Sequence, residues 1–298
     1  MRAPIPKSSS DRGSVMYRIG LSTRTPTRDA FCAYREAGIT LAEISLPGEL
    51  YPTFDYRAAK AAADEYGVEL WSFHLPFVFE LYDISKRELS ESAVKQLSEM
   101  IARAADIGIS RMVIHPSGEP IEETERKDRM ERSRQSLARL AECATKNGCV
   151  LAVENLPRTC LGRDSREIAE LISVDDSLRV CFDTNHLLAK ESAADFIRRI
   201  GDRIITTHVS DYDFLNERHW LPGEGKQDFI SVLNALEDVG YNGAWLYELG
   251  FEAPVSIRRP RMLCCADFVQ NAHTLFAGKI PDAIGTPVKG LRAWNDAF

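Results

Sequence analysis

Leu151-Ala152-Val153-Glu154 is a short apolar run that ends in a carboxylate, and three further apolar runs end in an acidic residue or a histidine. The other runs and the residues that follow them are 180–182 with Asp183, 204–207 with His208, and 245–247 with Glu248. Apolar runs of this length are typical of buried parallel strands. Because such strands end at one edge of a sheet, polar side chains that recur there indicate a shared pocket.

Short apolar runs alternate with longer amphipathic segments eight times along the chain. We predict strands at 17–22, 41–45, 69–73, 111–114, 149–153, 179–182, 204–207 and 244–247. The clearest helical stripe, at steps of three and four residues, is Leu89, Ala93, Leu97, Met100, Ile101 and Ala104. Gly108 and Asn147-Gly148 have the residues of helix C-caps. Eight such units predict a single closed (β/α)8 TIM barrel, and an open doubly wound sheet is the alternative.

Composition narrows the classes of function. The chain has 298 residues, 44% of them hydrophobic, which is enough for one full-sized core. The net charge is −7 at pH 7, so no basic excess favours a nucleic acid or an anionic membrane as partner. No apolar stretch approaches the roughly 18 residues typical of a membrane helix. We therefore expect no membrane partner and no nucleic acid partner.

The seven cysteines lack Cys-x-x-Cys spacing, and several lie inside apolar runs. This usage is typical of reduced, buried thiols in a cytoplasmic protein, and we expect no disulfide. Residues 1–15 are rich in Ser, Pro and charge and lack the apolar core of a secretory signal. We predict a disordered leader at 1–15, the barrel at 16–278 and a C-terminal tail at 279–298.

Five of the six histidines also fall at the predicted rim of the barrel. His74 and His115 end the third and fourth strands. His186 follows Asp183 by three positions, and His219 lies in the loop after the seventh strand. The carboxylates and the imidazole that end the last four strands are a ligand set for a hard or borderline divalent cation. The chain is therefore predicted to be a metalloenzyme.

Four motifs lie at the last strand ends and in the loop after the seventh strand. They are Ala152-Val153-Glu154-Asn155, Cys181-Phe182-Asp183-Thr184-Asn185-His186, Thr207-His208-Val209-Ser210-Asp211 and Pro222-Gly223-Glu224-Gly225. This set resembles the xylose isomerase-like barrel superfamily of sugar isomerases and epimerases, which also contains the endonuclease IV repair enzymes. The resemblance covers residues 16 to 278. As an ordered set the motifs are specific to the superfamily, and they are weaker evidence for the individual reaction.

The resemblance implies that one divalent metal is held by Glu154, Asp183, His208 and Glu248. Manganese is the expected ion, and cobalt, magnesium and zinc are also used in the family. The ion would bind a ketone and the neighbouring hydroxyl of a ketose or keto-sugar and make the carbon-bound proton acidic. By similarity to the ketose epimerases, Glu154 and Glu248 flank the substrate and move the proton through a metal-stabilised enediolate. Whether the outcome is isomerisation or epimerisation stays open.

The resemblance also implies residues that contact the sugar, namely His74, His115, His186, Arg218 and His219. His186 would bond a substrate oxygen or stabilise developing negative charge. Arg218 and His219 lie on a loop whose glycines allow the backbone to fold over the pocket. An arginine of this loop assists the metal-bound oxygens in the epimerases, although the spacing from His208 to Arg218 is longer here. The family further implies a homodimer or homotetramer.

Three other functions remain open on the same residues. The first is an endonuclease IV-like zinc phosphodiesterase on abasic DNA, whose three-zinc positions are similar to His74, His115, Glu154, Asp183, His186, His208, His219 and Glu248. Glu217 departs from that pattern, which has Asp there, and the negative net charge speaks against DNA. The second is a keto-sugar lyase or dehydratase, because it shares the proton abstraction. The third is a sugar-binding barrel without catalysis.

Overall fold

Strands and helices alternate along the chain in the computed structural model, which describes residues 16–187 and 191–293. The predicted leader lies outside the described residues. The strands are β1 (Arg18–Thr23), β2 (Leu41–Ile44), β3 (Glu69–His74), β4 (Arg111–Ile114), β5 (Val150–Glu154), β6 (Arg179–Asp183), β7 (Ile204–His208), β8 (Ala244–Tyr247), β9 (Ile257–Arg258) and β10 (Thr286–Pro287). The helices are α1 (Arg28–Ala37), α2 (Tyr56–Glu65), α3 (Phe79–Tyr82), α4 (Ser90–Asp106), α5 (Glu123–Lys146), α6 (Ser165–Ile172), α7 (Ala193–Ile200), α8 (Phe229–Asp238) and α9 (Cys265–Phe276), with 3-10 turns at Gly48–Thr53 and Gly201–Arg203.

The first eight strands form one parallel sheet in the order β7-β6-β5-β4-β3-β2-β1-β8. The two ends of this sheet meet where Val209, the residue after β7, pairs with Tyr247 at the end of β8. Val209 N–H donates to the Leu246 carbonyl at 2.8 Å, and Glu248 N–H donates to the Val209 carbonyl at 3.1 Å. These bonds close the sheet into a (β/α)8 barrel, which confirms the predicted fold and excludes the open doubly wound sheet.

The strand ends are extended by their functional residues. Glu154, Asp183 and His208 are the last residues of β5, β6 and β7, whereas the sequence pattern ended those strands one residue earlier. The backbone stays in the sheet because Asp183 pairs in register with His208 and Glu154 pairs with Cys181. The polar side chains are therefore held by the sheet itself and not by the loops that follow it.

The helices pack on the barrel as the apolar stripes predicted. In α4 the buried residues include Ala93, Leu97, Met100, Ile101 and Ala104, and Leu89 lies at its N-cap. Positive φ values of 87° at Gly108 and 72° at Gly148 let the chain turn from α4 and α5 into the next strands. The amides that follow these two glycines donate back to the carbonyls of Ala104 and Ala144, which satisfies the helix ends.

The barrel interior contains a polar layer above an apolar one. Leu41, Trp71, Ala244 and Leu246 form a small apolar cluster inside the barrel. The indole Nε1–H of Trp71 donates to the Thr206 hydroxyl at 3.1 Å across the interior. The buried ionisable residues of the site lie toward the carboxyl ends of the strands. The apolar layer thus forms a floor that separates the site from the opposite end of the barrel.

The segment after α9 is joined to the rest of the chain by a short strand pairing and by hydrogen bonds. β10 pairs antiparallel with β9, and the Val288 N–H donates to the Ser256 carbonyl at 2.9 Å. The Gly285 N–H donates to Glu224, which is fully buried in an ion pair with Arg259 at 2.7 Å. The described part of the predicted tail therefore holds the Pro222–Gly225 motif in place. Among the described residues, no helix is long and apolar enough to cross a membrane.

Candidate metal centre

Four side chains from neighbouring strand ends converge at the mouth of the barrel. Glu154, Asp183, His208 and Glu248 each place one ligand atom within 4.8 Å of the others. His208 lies at the centre of the group, with its Nδ1 3.1 Å from Glu154 Oε1 and 3.4 Å from Glu248 Oε2. Its distance to Asp183 Oδ2 is 3.9 Å. The structure therefore brings the four predicted ligands together around one point.

Asn155 fixes the relative position of Glu154 and Asp183. Its side-chain amide donates to the Asp183 carbonyl at 3.0 Å, and its Oδ1 accepts the Asp183 N–H at 2.8 Å. This pair of bonds joins the ends of β5 and β6. The motif residue after Glu154 thus sets the spacing between two carboxylates that would otherwise repel each other.

Asp183 carries the clearest sign of a missing partner. Its Oδ1 accepts the Asn185 N–H, but its Oδ2 is buried without a hydrogen bond. Burial, together with the charges of Glu248 and Glu154, raises the pKa of Asp183 to about 8, against the opposing effect of His186. A buried acceptor of this kind is costly unless it is paired. A cation among the four ligands would supply the partner.

Glu154 is enclosed by imidazoles. Its Oε2 lies 3.1 Å from His74 Nε2 and 3.2 Å from His115 Nε2, and its Oε1 faces His208. Burial alone would raise the pKa of Glu154, but the positive charges of His208 and His115 hold it well below its usual range. Glu154 is therefore ionised at neutral pH and lies between two groups of potential ligands.

A further group lies on the other side of the central one. Glu217 Oε1 is 3.0 Å from His219 Nε2 and 3.5 Å from His186 Nε2. The other oxygen of Glu217 accepts from Arg158 at 2.7 Å, and Arg158 also pairs with Glu119. Hydrogen bonds from His186 and His219 outweigh burial and hold the pKa of Glu217 well below its usual range. The side chain of Glu217, which is longer than that of the Asp in the endonuclease IV pattern, thus reaches both histidines.

Three of these histidines have their outer nitrogen tied to a backbone carbonyl. Nδ1 of His74 lies 2.8 Å from the Leu75 carbonyl, and Nδ1 of His186 lies 2.8 Å from the Asn155 carbonyl. Nδ1 of His219 lies 3.0 Å from the Glu248 carbonyl. A carbonyl only accepts, so Nδ1 carries the proton and the neutral ring presents a lone pair on Nε2. Each of these lone pairs faces a carboxylate. A bound cation would suit this arrangement, because without a cation each ring must take up a second proton and become charged.

The remaining predicted residues differ in their exposure to the site. His115, His186 and His219 line an inner cavity of about 180 Å³ together with Glu154 and Glu248. His74 is buried beneath Glu154 and does not line this inner cavity. The Arg218 guanidinium pairs with Asp213 at 2.9 Å and donates to the Arg292 carbonyl at 2.8 Å. The structure therefore directs Arg218 toward the C-terminal segment and not into the inner cavity.

A larger cleft opens beside the inner cavity. It has a volume of about 1020 Å³ and extends from the ends of β1, β2 and β8 to helices α1 and α9. Phe77, His219 and Glu248 line both spaces, so the cleft and the inner cavity are continuous. Phe77 stacks on His115 with ring centroids 4.9 Å apart. The cleft gives a small molecule a route to the ligand cluster.

Glu43 is a buried member of the cluster that the sequence analysis did not identify. It lies in β2 and its carboxylate is 3.0 Å from His208 Nε2. The available signal was a carboxylate inside the otherwise apolar run 41–44, where a buried charge requires a partner. Arg158 was also not identified. It follows Pro157 in the loop after β5, outside any strand end.

The chain matches a family model described as xylose isomerase-like TIM barrel over residues 31–260. An uncharacterised protein of Methanocaldococcus jannaschii is 29% identical over 189 residues, which are 60% of this chain and 64% of that protein. A fructoselysine 3-epimerase of Escherichia coli O157:H7 is 25% identical over 92 residues, which are 31% of this chain and 30% of that enzyme. The chain thus matches less than two thirds of the length of either relative.

Solved structures share the fold over most of the chain. A D-tagatose 3-epimerase-like protein is 22% identical with a TM-score of 0.73, and the match covers 88% of this chain and 97% of that one. An L-ribulose 3-epimerase is 20% identical with a TM-score of 0.70, covering 88% of this chain and 94% of that one. At these identities the likeness shows the barrel and its connections.

Proposed function

Because the chain belongs to the xylose isomerase-like TIM barrel family, we propose that it is a divalent-metal-dependent sugar isomerase or epimerase. The observation that carries the proposal is the convergence of Glu154, Asp183, His208 and Glu248 within 4.8 Å at the barrel mouth. Proteins named as sugar epimerases are among those of similar fold, which supports a ketose or keto-sugar as substrate.

The donor set fits one divalent cation. Three carboxylates and one imidazole suit manganese, which is the ion we propose, and the imidazole also accommodates cobalt or zinc. The unpaired Asp183 Oδ2 and the lone pairs directed at carboxylates are the features that a cation would satisfy. When bound, the ion would polarise a substrate carbonyl and so acidify the adjacent carbon-bound proton.

Glu154 and Glu248 are the proposed acid–base pair. The Glu248 side chain is 20% exposed and borders both the cleft and the inner cavity, whereas Glu154 lies on the buried side of the inner cavity. A sugar carbon in that cavity would lie against both carboxylates. One glutamate would remove the proton and the other would return it, and the carbon that receives it decides between epimerisation and isomerisation.

The histidines that line the inner cavity are the proposed sugar contacts. His186 has Nδ1 fixed on the Asn155 carbonyl, so its Nε2 is directed to the cavity side. His115 and His219 face the same space, where each could bond a hydroxyl. Buried, oriented imidazoles of this kind stabilise charge on a substrate oxygen more strongly than water does.

The test measures the exchange of solvent deuterium into ketoses and keto-sugars. The exchange is catalysed by purified protein whose metal content has been determined. We expect one bound manganese per chain to support exchange at a carbon next to the carbonyl. Glu248→Gln and Glu154→Gln are expected to lower the exchange rate by roughly 100- to 10,000-fold, the usual contribution of a general acid or base. Mass spectrometry of the recovered sugar measures the exchange.

Glu91→Gln is the matched control, because Glu91 is an exposed surface residue paired with Arg139. This variant is expected to keep the wild-type exchange rate. Exchange that persists at the wild-type rate in both Glu154→Gln and Glu248→Gln would refute the proposed acid–base pair. A chain that binds no divalent ion would refute the metal dependence.

An endonuclease IV-like phosphodiesterase is the second candidate, and one observation favours it. Glu154 is shared between the central group and the group His74, His115 and Glu154, and a third group contains His186, Glu217 and His219. Three adjacent ligand groups are an arrangement suited to several metal ions on a phosphodiester. Against it, Arg158 already neutralises Glu217 at 2.7 Å, and the net charge is −7.

Metal stoichiometry and DNA cleavage separate the two candidates. Three zinc ions per chain with cleavage of a duplex that contains an abasic site would favour the phosphodiesterase. One ion with deuterium exchange and no cleavage would favour the sugar enzyme. Both assays use the same purified chain, so the result of the cleavage assay can be compared directly with the result of the exchange assay.

We further propose a cytoplasmic location, which the seven free thiols support. Burial raises the pKa of Cys149 to about 11, so this thiol stays protonated and unreactive. The proposed organisation is a leader at 1–15, the barrel at 16–278 and a C-terminal tail at 279–298. The expected homodimer or homotetramer remains a prediction that a sedimentation experiment can test.

A further inference from the structure

Glu43 is a carboxylate placed inside the barrel, where solvent does not reach it. It lies in the middle of β2 and is fully buried. Its two oxygens lie 3.0 and 3.2 Å from Nε2 of His208, which comes from β7. A buried carboxylate is strongly unfavourable unless it is paired and hydrogen-bonded. The pairing with His208 across the barrel is therefore a specific arrangement.

Two serines hold Glu43 in the orientation that faces His208. The Ser72 hydroxyl in β3 donates to Glu43 Oε2 at 2.7 Å, and the Ser22 hydroxyl in β1 donates to Oε1 at 3.2 Å. Both hydroxyls come from strands that neighbour β2. Each oxygen of Glu43 thus has one serine donor and shares the imidazole of His208. The carboxylate is fixed from both sides of its strand.

The orientation of His208 follows from this contact. With a cation on the Nδ1 side, Nε2 of His208 would carry the proton and donate it to Glu43, because a carboxylate only accepts. The lone pair of the neutral ring is then on Nδ1, which faces Glu154, Glu248 and Asp183 at 3.1, 3.4 and 3.9 Å. A hydrogen bond from a ligand histidine to a carboxylate fixes the tautomer and increases the basicity of the ligand nitrogen.

Nδ1 of the other four histidines of the cluster makes no hydrogen bond to a carboxylate, although Nδ1 of His186 lies 3.5 Å from Glu154 and 3.7 Å from Asp183. His74, His186 and His219 donate to backbone carbonyls, which are neutral. Nδ1 of His115 is buried without a partner. His208 is thus the one imidazole among these five whose nitrogen facing away from its ligand group is hydrogen-bonded to a carboxylate. This difference ranks the candidate ligand groups. Three of the five groups among the described residues contain His208, and of these only the central, four-membered group also contains Asp183.

We infer that Glu43 is a positioning residue that holds His208 with its Nδ1 lone pair toward Glu154, Asp183 and Glu248. The inference rests on the proposed metal-dependent function. Through this contact the central group becomes the first of the candidate ligand groups to bind a divalent ion. Glu43 itself touches neither substrate nor ion.

The experiment is a manganese titration of the metal-stripped full chain by calorimetry, with Glu43→Gln compared with wild type. Loss of a carboxylate behind a ligand histidine typically weakens metal binding by about 10- to 100-fold, and we expect this change for the first equivalent. Nitrogen-15 NMR of the metal-free protein provides a second readout. At a pH where the His208 ring is neutral, we expect its proton on Nε2 in wild type and a mixture of tautomers in the variant.

Glu69→Gln is the control, since it removes the same charge from an exposed residue of β3 that pairs with Arg18. It is expected to bind manganese as wild type does. Ser72→Ala is the second test variant in case Glu43→Gln does not fold, and it is expected to weaken the first equivalent less than Glu43→Gln does.

The outcomes separate this inference from the function on which it rests. Unchanged affinity and tautomer in Glu43→Gln, with a lower melting temperature alone, would show a purely structural role and overturn the inference. If wild type binds no manganese, the proposed function fails. The tautomer of His208 without metal then still decides whether Glu43 orients it.

Discussion

Asp183 is the residue at which stability and metal binding conflict most directly. Burial and the neighbouring glutamates raise its pKa to about 8 in the metal-free chain. The pKa of an unfolded aspartate is about 3.9, so the folded protein binds this proton more tightly than the unfolded chain does. The stability that protonation provides is present below about pH 4 and is lost as the pH rises through 8. The metal-free protein therefore loses stability over this window through Asp183.

Asp183→Asn is expected to stabilise the metal-free protein and to abolish its stabilisation by manganese. The asparagine has no proton to take up, so the gain is on the order of 2–5 kcal/mol at pH 8 and smaller at pH 5. Urea unfolding after treatment with a chelator measures the first effect, and thermal melting with added manganese measures the second. Asp106→Asn, at an exposed position, serves as the control. A variant that manganese still stabilises fully would contradict the assignment of Asp183 as a ligand.

The site residues that could be predicted from the sequence are those that lie at the carboxyl end of a strand. Glu154, Asp183 and His208 end their strands, and the carboxyl ends of parallel strands meet at one rim. Glu43 could not be found in this way, because it lies within β2 and its partner His208 is 165 residues away. Only the closure of the barrel brings the two together. A carboxylate in an apolar strand indicates a partner but does not name it.

The loop between β7 and α8 is the element that positions Glu217 and His219. Asp211 organises it, since its carboxylate accepts backbone N–H groups from Tyr212, Gly223, Gly225 and Gln227. Glu217 and His219 lie between these anchors and extend back over the cluster. Arg218 points the other way and pairs with Asp213. The sequence analysis placed Glu217, Arg218 and His219 in one loop. The opposite directions of their side chains depend on the hydrogen bonds that Asp211 makes to the loop backbone.

Gly225→Ala is expected to destabilise the protein by roughly 1–3 kcal/mol, the typical effect of overpacking a closed site. A Cβ at this position would overlap the Asp211 carboxylate and the Tyr212 carbonyl, so the loop must move. Gly250→Ala is the control for stability, because a Cβ there meets no atom closer than 3.8 Å. Urea unfolding of both variants gives the comparison. Equal stability of the two variants would show that the Asp211 anchor tolerates displacement.

At the scale of the whole molecule, the alternation of eight apolar runs with amphipathic segments was sufficient to predict the closed barrel. Each strand needs a crossover helix, and eight strands is a number that closes. The role of the C-terminal segment was not predictable. Its contacts are with residues distant in sequence, such as Glu224, and residues 279–293 have no regular period that would place them. Weak periodicity therefore did not distinguish a packed segment from a loose one.

Ending the chain at residue 278 is expected to destabilise the barrel, whereas ending it at 293 or starting it at 16 is not. The shorter chain loses the Gly285 N–H that bonds Glu224 and the β10 strand that pairs with β9. A buried carboxylate that loses a donor typically costs about 1–3 kcal/mol, and each kcal/mol lowers the melting temperature of a domain of this size by roughly 2–4 °C. Residues 1–15 are rich in Ser, Pro and charge, a composition typical of a chain end that adds little to stability, so we expect their removal to have little effect. Thermal melting of the three truncated chains beside the full chain measures these differences, and an unchanged melting temperature for the chain that ends at 278 would place the barrel boundary there.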